Sequence, residues 1–271
     1  MDHFKGVRPE AARLHALNAL SLWEDEQQQD LLNGALAELE GLLQRTTGEA
    51  RLENILSLGQ ALLMQSENAA QNDSSAAAAR APLEKVEQVV EHALPDYSAE
   101  AFELGNARLN LLKAQALQSQ GERKPRNLAN LMASRAAYDL AIKGLQATGD
   151  SGGFLIEAKA GLAALIQVLG EETNDIELLR EAVRRHQEVA ELSPRTDRPL
   201  EEAGPLLNLV GALMAQAKAE AGDARLAPYA EARVVLDRLV AIHQREGNDA
   251  AEADARKLIA EIDVAIGDAE A

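Results

Sequence analysis

The chain has 271 residues, which is enough to bury a sizeable hydrophobic core in one long domain or two small ones. Hydrophobic residues make up 46% of it but aromatic residues only 3%, and because β-sheets favour β-branched and aromatic side chains, this composition disfavours a sandwich or a barrel. The formal net charge of −17 excludes the basic surface that general nucleic-acid binding needs, and it predicts repulsion from anionic membranes.

The absence of cysteine excludes disulfide bonds and thiolate metal sites. The first ten residues, MDHFKGVRPE, contain no apolar leader segment, and no run of apolar residues approaches the ~18 that a membrane-spanning helix needs. We therefore expect a soluble, cytoplasmic protein that binds neither nucleic acid nor membrane and whose partners are neutral or basic.

Helical periodicity runs along nearly the whole chain, and strand signals are almost absent. Residues 9–22 and 24–44 predict a first helical hairpin, and start and stop signals divide the whole chain into about eleven helices. The predicted breaks lie at 46–48, 95–96, 121–126, 149–153, 170–175, 193–199, 222–223 and 247–248.

The segment SENAAQNDSSAAAARAP (66–82) is low in complexity. It is typical either of a flexible loop or of an alanine-rich helix extension that frays. We expect a partly ordered connector.

One helix start is well marked, in TNDIELLREAV. Asn174 is predicted to cap this helix, and Glu177, three residues later, is predicted to complete a capping box. Pro194 ends the segment. The apolar face that follows the cap consists of Leu179, Ala182, Val183, His186, Val189 and Ala190.

Two series of residues recur at a period near fifty. Gly59 and Gly161 are separated by 102 residues, or two steps of 51, and Gly161 and Gly211 by 50. Because glycine costs about 1 kcal/mol inside a helix, we expect each to lie where the first helix of a hairpin presses closely on its partner helix. The second series, at steps of 51, 45 and 50, is Val86, Ala137, Ala182 and Ala232. Two series with one period predict internal repetition.

Together these positions form a pattern of apolar, small and apolar residues on alternate helices. Its members are Ile55, Leu58, Gly59, Leu62, Val86, Val90, Ala93, Pro95, Ala160, Gly161, Ala164, Ala182, His186, Pro194, Gly211, Ala232, Leu236 and Leu239. Between Arg51 and Glu246 the sequence thus resembles a tetratricopeptide-repeat protein. The resemblance implies an all-α fold, a right-handed α-solenoid of stacked antiparallel helix hairpins. The repeat is longer than the family's usual length of about 34 residues, and HEAT-like stacking remains an alternative.

We expect a single helical-repeat domain over 1–271, made of an atypical N-terminal hairpin (1–48), repeat hairpins (49–247) and a C-terminal capping helix (248–271). A solenoid needs such a cap because an uncovered end repeat exposes its core. The residues predicted to face inward from the cap are Leu258, Ile259, Ile262 and Ile266.

Several motifs suggest chemistry, but a structural explanation is preferred for each. GDSGG (149–153) resembles the nucleophile loop of trypsin-like proteases, yet its flanks are helical, and we interpret it as a linker. The five histidines are scattered, and His186 is predicted to fill a helix interface. The acidic clusters at 23–30 and 248–255 do not fit a calcium loop. The basic residues at 122–126 and 184–185 are expected to be solvated, and Trp23 to pack in the core.

These observations favour a non-enzymatic adaptor that binds a peptide or an amphipathic helix in a concave groove lined by the first helices. No catalytic, cofactor or metal site is predicted, and the chain is expected to be a monomer or a weak dimer. The alternatives are that the protein's own helices fill this face, that the chain is a self-associating structural protein, or that it is an all-helical enzyme or small-ligand binder. The predicted groove residues are Asn106, Asn110, Lys113, Leu162, Leu165, Ile166, Asn208, Ala212 and Gln216.

Overall fold

The computed structural model describes residues 9–26, 29–72, 76–123, 125–149, 153–192 and 200–270. This part of the chain contains eleven α-helices, one short 3₁₀ helix at Gly222–Arg225 and no strand. The all-α class and the predicted number of helices are therefore confirmed. The helices are α1 (Pro9–Glu26), α2 (Gln29–Leu43), α3 (Gly48–Gln71), α4 (Ala76–Ala93), α5 (Glu103–Glu122), α6 (Leu128–Ala147), α7 (Gly153–Thr173), α8 (Ile176–Leu192), α9 (Leu200–Ala219), α10 (Leu226–Glu246) and α11 (Asp249–Glu270).

Consecutive helices pack as hairpins, and these hairpins fall into two compact units. The first unit, Met1–Ser151, contains the pairs α1/α2, α3/α4 and α5/α6. The second unit, Gly152–Ala271, contains α7/α8 and α9/α10, with α11 packed on α10. Whereas the sequence predicts one domain over 1–271, the contacts divide the chain within the GDSGG segment, of which residues 150–152 lie outside the described ranges.

In the first unit, α5 is covered on all of its sides. Every residue from Gly105 to Glu122 is buried or half-buried, because α5 packs on α3, α4 and α6. Trp23 is buried in the core that α1 to α5 share, as predicted.

In the second unit, α11 covers α10 with the face that the sequence predicts. Ile262 is fully buried and Leu258, Ile259 and Ile266 are partly buried, so the unit ends in an amphipathic helix whose other face is charged.

α7 is long and apolar enough, by length and composition alone, to cross a membrane, whereas the sequence predicts no such segment. One face of this helix is fully buried inside the second unit. The core helix of a soluble protein meets the same two criteria, so the finding carries no membrane assignment.

The corner between α7 and α8 differs by one residue from the predicted cap. Asn174 has a positive φ of 51° and ends α7, where the N–H of Asp175 donates to the carbonyl of Gly170 (2.9 Å) in the manner of a Schellman motif. Asp175 is the cap of α8, since its Oδ1 accepts from the N–H groups of Glu177 (2.9 Å) and Leu178 (3.3 Å). The predicted capping box at Asn174 is therefore wrong.

The same kind of cap begins α6. The Oδ1 of Asn127 accepts from the N–H groups of Ala129 (3.1 Å) and Asn130 (3.3 Å). Short polar side chains in this position satisfy N–H groups that have no partner within the helix.

The segment 66–82 is helical on both sides of a short gap. α3 continues to Gln71 and α4 begins at Ala76, while residues 73–75 lie outside the described ranges. The Ser66 hydroxyl donates to the carbonyl of Ala79 (2.7 Å) and so ties the two helices together. Outside the gap, the helix-extension interpretation is the correct one.

The recurring glycines do not occupy equivalent places, which corrects the central expectation from the sequence. The methyl groups of Leu112 on α5 occupy the space above Gly59, so Gly59 faces the first helix of the next hairpin and not its partner α4. Gly211 is exposed, and no atom lies within 4 Å of where its Cβ would stand.

Burial gives the true register of the repeat. The buried positions 55, 58, 59, 61, 62 and 66 of α3 match 206, 209, 210, 212, 213 and 217 of α9 at a constant separation of 151. Gly59 therefore corresponds to Val210, and Gly211 corresponds to the exposed Gln60.

Two other glycines do recur in equivalent places. Gly121 lies in the last turn of α5 against Leu131 of α6, and Gly170 lies in the last turn of α7 against Leu179 of α8. A Cβ on Gly121 or Gly170 would stand 3.1 Å or 3.0 Å, respectively, from the backbone nitrogen of that leucine. Glycine is needed here because two backbones approach each other, and the sequence shows these positions only as weak breaks.

Candidate functional site

In the second unit, α7 and α9 are the first helices of the two hairpins, and aligning their buried positions shows which residues form the open face. Buried positions 162, 163, 165, 166 and 170 of α7 match 209, 210, 212, 213 and 217 of α9 at a separation of 47. The residues on the opposite side of each helix are exposed or half-buried, and we call them the small-residue face. They are Glu157, Gly161, Ala164, Val168 and Glu171 on α7 and Gly204, Asn208, Gly211, Ala215 and Lys218 on α9.

Half of this small-residue face is glycine or alanine. Gly204 and Gly211 lie seven residues apart on α9, and a Cβ on either would meet no atom within 4 Å. The side chain of Leu207, which is 52% exposed, lies between them in the helix. The small-residue face is therefore nearly flat on α9, and the exposed apolar side chain of Leu207 lies next to it.

A cavity of about 480 Å³ opens at one end of this face. Glu171 and Lys218 give it one charge of each sign, while Leu179 and Met214 give it apolar surface. The remaining lining residues are Asn174, Gly211, Ala215 and Ala219.

The corresponding face of the first unit is mostly polar. Its members on α3 and α5, related by a separation of 55, are Glu53 and Arg108, Ser57 and the buried Leu112, Gln60 and Gln115, Met64 and Ser119, and Glu67 and Glu122. Glu53 accepts hydrogen bonds from Arg13 of α1 (3.2 Å) and from Arg108 of α5 (2.6 Å). Three successive first helices are thus joined by one carboxylate.

The predicted groove residues on α5 are engaged within the first unit. Asn106 donates to the carbonyl of Tyr97 (2.8 Å), and Asn110, only 6% exposed, donates to the carbonyl of Asn106 (2.9 Å). Lys113 forms an ion pair with Glu91 of α4 (3.1 Å). Asn106 and Lys113 thus bind groups outside α5, and Asn110 binds a group within it.

The predicted groove residues of the second unit are divided between its surface and its core. Asn208 lies on the small-residue face, and Gln216 is half-buried and donates to Glu220 (3.4 Å). The remaining four are fully buried at 0% exposure, so a partner could reach them only if the core opened. These four are Leu162, Leu165, Ile166 and Ala212.

The described residues contain no group of three or more histidines, aspartates or glutamates that could hold a metal ion. His186 is 2% exposed, its Nε2 has no hydrogen-bond partner in the described structure, and burial lowers the pKa of its imidazole to about 4. Ser151 of the GDSGG segment lies outside the described ranges.

No family model and no curated protein matches the sequence, so the tetratricopeptide resemblance stays a prediction. Among solved structures, the chain is similar to the nuclear import adaptor Nro1 of S. pombe, at 15% identity over 94% of this chain and 93% of that one, with a TM-score of 0.35. It is also similar to a circular tandem repeat protein with a novel repeat topology, at 19% identity over 95% of this chain, with a TM-score of 0.36. The chain spans 64% of the length of that second protein.

Proposed function

We propose that this chain is a non-enzymatic protein-binding scaffold and that the small-residue face of its second unit accepts an α-helix of a partner. The observation that carries the proposal is the pair Gly204 and Gly211, two exposed glycines two turns apart on α9. Gly211 costs about 1 kcal/mol of helix stability relative to alanine. Gly204 directly precedes Pro205, so its lack of a Cβ also avoids a clash with the proline ring. No described atom packs in the space that either glycine leaves open. A helix that docks there would use that space.

The chemistry of the face favours a helical partner with an apolar stripe. Small residues let two helix backbones approach closely, as ridges of one helix enter grooves of the other. Gly59 gives an example within the same chain, because the Leu112 side chain of a neighbouring helix fills the space above it. Apolar side chains at i, i+4 and i+7 of a partner would likewise lie over Gly204, Leu207 and Gly211.

The charge of the chain supports a neutral or basic partner. At a net charge of −17 the protein repels acidic proteins at long range and attracts basic ones. Glu171 and Lys218, at the end of the face, offer one partner each for opposite charges on the docked helix. The proposal places the interaction in the cytoplasm and treats the scaffold as a monomer or weak dimer.

The test compares proteins captured from the native host by the wild-type chain, by Gly211→Leu and by the control Gly34→Leu. Both glycines are exposed, helical and open above, so both variants should fold, which thermal unfolding checks. We expect Gly211→Leu to lose specific partners that the wild type and Gly34→Leu retain. Equal capture by all three proteins would contradict the proposal.

A further inference from the structure

Basic side chains gather at one edge of the first unit, where α4 begins and α5 ends. The sequence GERKPR (121–126) holds three basic residues and one acidic residue in a chain with 44 acidic and 27 basic residues. Arg80 of α4 lies close enough to Arg123 to lower the pKa of the Arg123 guanidinium, although its burial lowers that pKa more. The overall acidity of the protein is therefore reversed locally.

The guanidinium of Arg123 is held in place by neutral groups. Its Nη2 donates to the hydroxyl (2.5 Å) and to the carbonyl (3.4 Å) of Ser66, while its Nε has no hydrogen-bond partner in the described structure. Within the described part of the chain, neither Arg80 nor Arg123 forms an ion pair with a carboxylate. Arg80 and Arg123 thus repel each other, and among the described residues neither is held in an ion pair.

A cavity of about 670 Å³ is lined by Arg80, though not by Arg123. Asn130 donates to Gln120 across it (2.9 Å), and the oxygen of Asn127 is occupied by the first N–H groups of α6. The side chains that line it are Arg80, Glu84, Gln120, Pro125, Arg126, Asn127, Leu128 and Asn130. The lining is mainly polar, with two guanidinium groups and one carboxylate.

We propose that this cavity binds a ligand through a phosphate or carboxylate group. Guanidinium groups bind both oxyanions with two parallel hydrogen bonds, and the lining contains those of Arg80 and Arg126. An oxyanion beside Arg80 would also offset the repulsion that Arg80 exerts on Arg123. Glu84 opposes an anion in the same cavity and so weakens its binding. The site lies in the first unit and is independent of the small-residue face, so either proposal can fail alone.

The test is calorimetric titration of the full-length protein with pyrophosphate and, separately, with citrate. We expect at least one of the two to bind at low salt, more weakly as salt rises. Arg80→Gln, which removes an exposed guanidinium and leaves the Ser66 contacts of Arg123 intact, should weaken binding by about tenfold or more. Binding of pyrophosphate alone identifies a phosphate site, and binding of citrate alone identifies a carboxylate site.

Two further variants separate a site from a general charge effect. Glu84→Gln removes the opposing carboxylate and should strengthen binding, a gain that a misfolded protein does not give. Arg184→Gln removes an exposed arginine of the second unit and should leave binding unchanged. The proposal is overturned if neither anion binds, or if Arg80→Gln and Arg184→Gln weaken binding equally.

Discussion

Glycine has two opposite roles in the second unit of this protein. At Gly170 the absence of a side chain allows the end of α7 to meet the backbone of α8, so the residue serves the fold. At Gly211 the space above the helix is open, so the residue costs helix stability without an internal gain. The same residue type thus indicates packing in one helix and a free surface in the other.

Alanine substitution separates the two roles. Gly211→Ala should raise the free energy of unfolding by about 1 kcal/mol, because the methyl group meets no atom and the helix gains stability. Gly170→Ala should lower it by up to about 2 kcal/mol, because the methyl group would stand 3.0 Å from the backbone nitrogen of Leu179 and overpacking outweighs the helix gain. Urea unfolding followed by circular dichroism measures both, and changes of the same sign would contradict this assignment.

His186 is a buried base with an unpartnered ring nitrogen. Burial lowers its pKa from 6.5 to about 4, so between these values the unfolded chain binds the proton and the folded chain does not. Stability is therefore fully present above pH 6.5 and is lost as the pH falls toward 4. The equivalent residue 50 positions later is Leu236, which is fully buried.

His186→Leu should remove this dependence on pH. We expect the wild type to lose about 3 kcal/mol relative to the variant between pH 6.5 and pH 4, measured as the difference between their unfolding free energies at each pH. His92→Gln, a change at an exposed histidine, is the control and should follow the wild type. Parallel curves for His186→Leu and the wild type would show that the buried imidazole does not titrate in this range.

At the scale of the helix, the ends are fixed by short polar side chains that accept from the first free N–H groups. Asn127 begins α6 and Asp175 begins α8 in this way, and a leucine follows four residues after each, at Leu131 and Leu179. Thr47 precedes α3, but its side chain makes no capping hydrogen bond. The chain therefore contains its own control for the effect of a cap.

Asp175→Ala and Asn127→Ala should each lower the free energy of unfolding by about 1 kcal/mol. Thr47→Ala should change it by less than about 0.5 kcal/mol, because no capping bond is lost. Chemical unfolding of the three variants checks this order. A loss at Thr47 as large as that at Asp175 would mean that the exposed caps contribute nothing specific.

The helices and their pairing were predictable because hydrophobic periodicity and turn residues are local signals. The breaks at 95–96 and 247–248 and the inward face of α11 follow directly from them. Which side chains of α7 and α9 face the core could not be predicted in the same way. An error of one residue in the alignment of the repeats rotates the predicted face of a helix by about 100°. The spacing of the glycines pairs Gly59 with Gly211, whereas the pattern of burial pairs it with the adjacent Val210. A repeat length read from the sequence alone does not separate two neighbouring positions. For the same reason Leu162 and Ala212 were predicted to line the groove, whereas both lie in the core.

At the scale of the whole molecule, each unit has a hydrophobic core cluster of its own. One contains buried residues from Ala12 to Ala116, and the other contains buried residues from Val183 to Ile262. Each unit is also one continuous stretch of the chain, because the boundary between them is crossed once, within GDSGG. Such a division is the usual sign of parts that fold alone.

The fragments 1–149 and 153–271 should each fold when expressed separately. We expect each to be helical by circular dichroism and to unfold cooperatively, because its hairpins bury their apolar faces on one another within the fragment. The difference in unfolding free energy between the fragment 153–271 and its His186→Leu variant should depend on pH as it does in the full chain, since the packing around that residue comes from α8 and its neighbours in the second unit. A fragment 153–271 that is helical but melts without cooperativity, or that loses this dependence on pH, would show that the second unit needs the first to form its core.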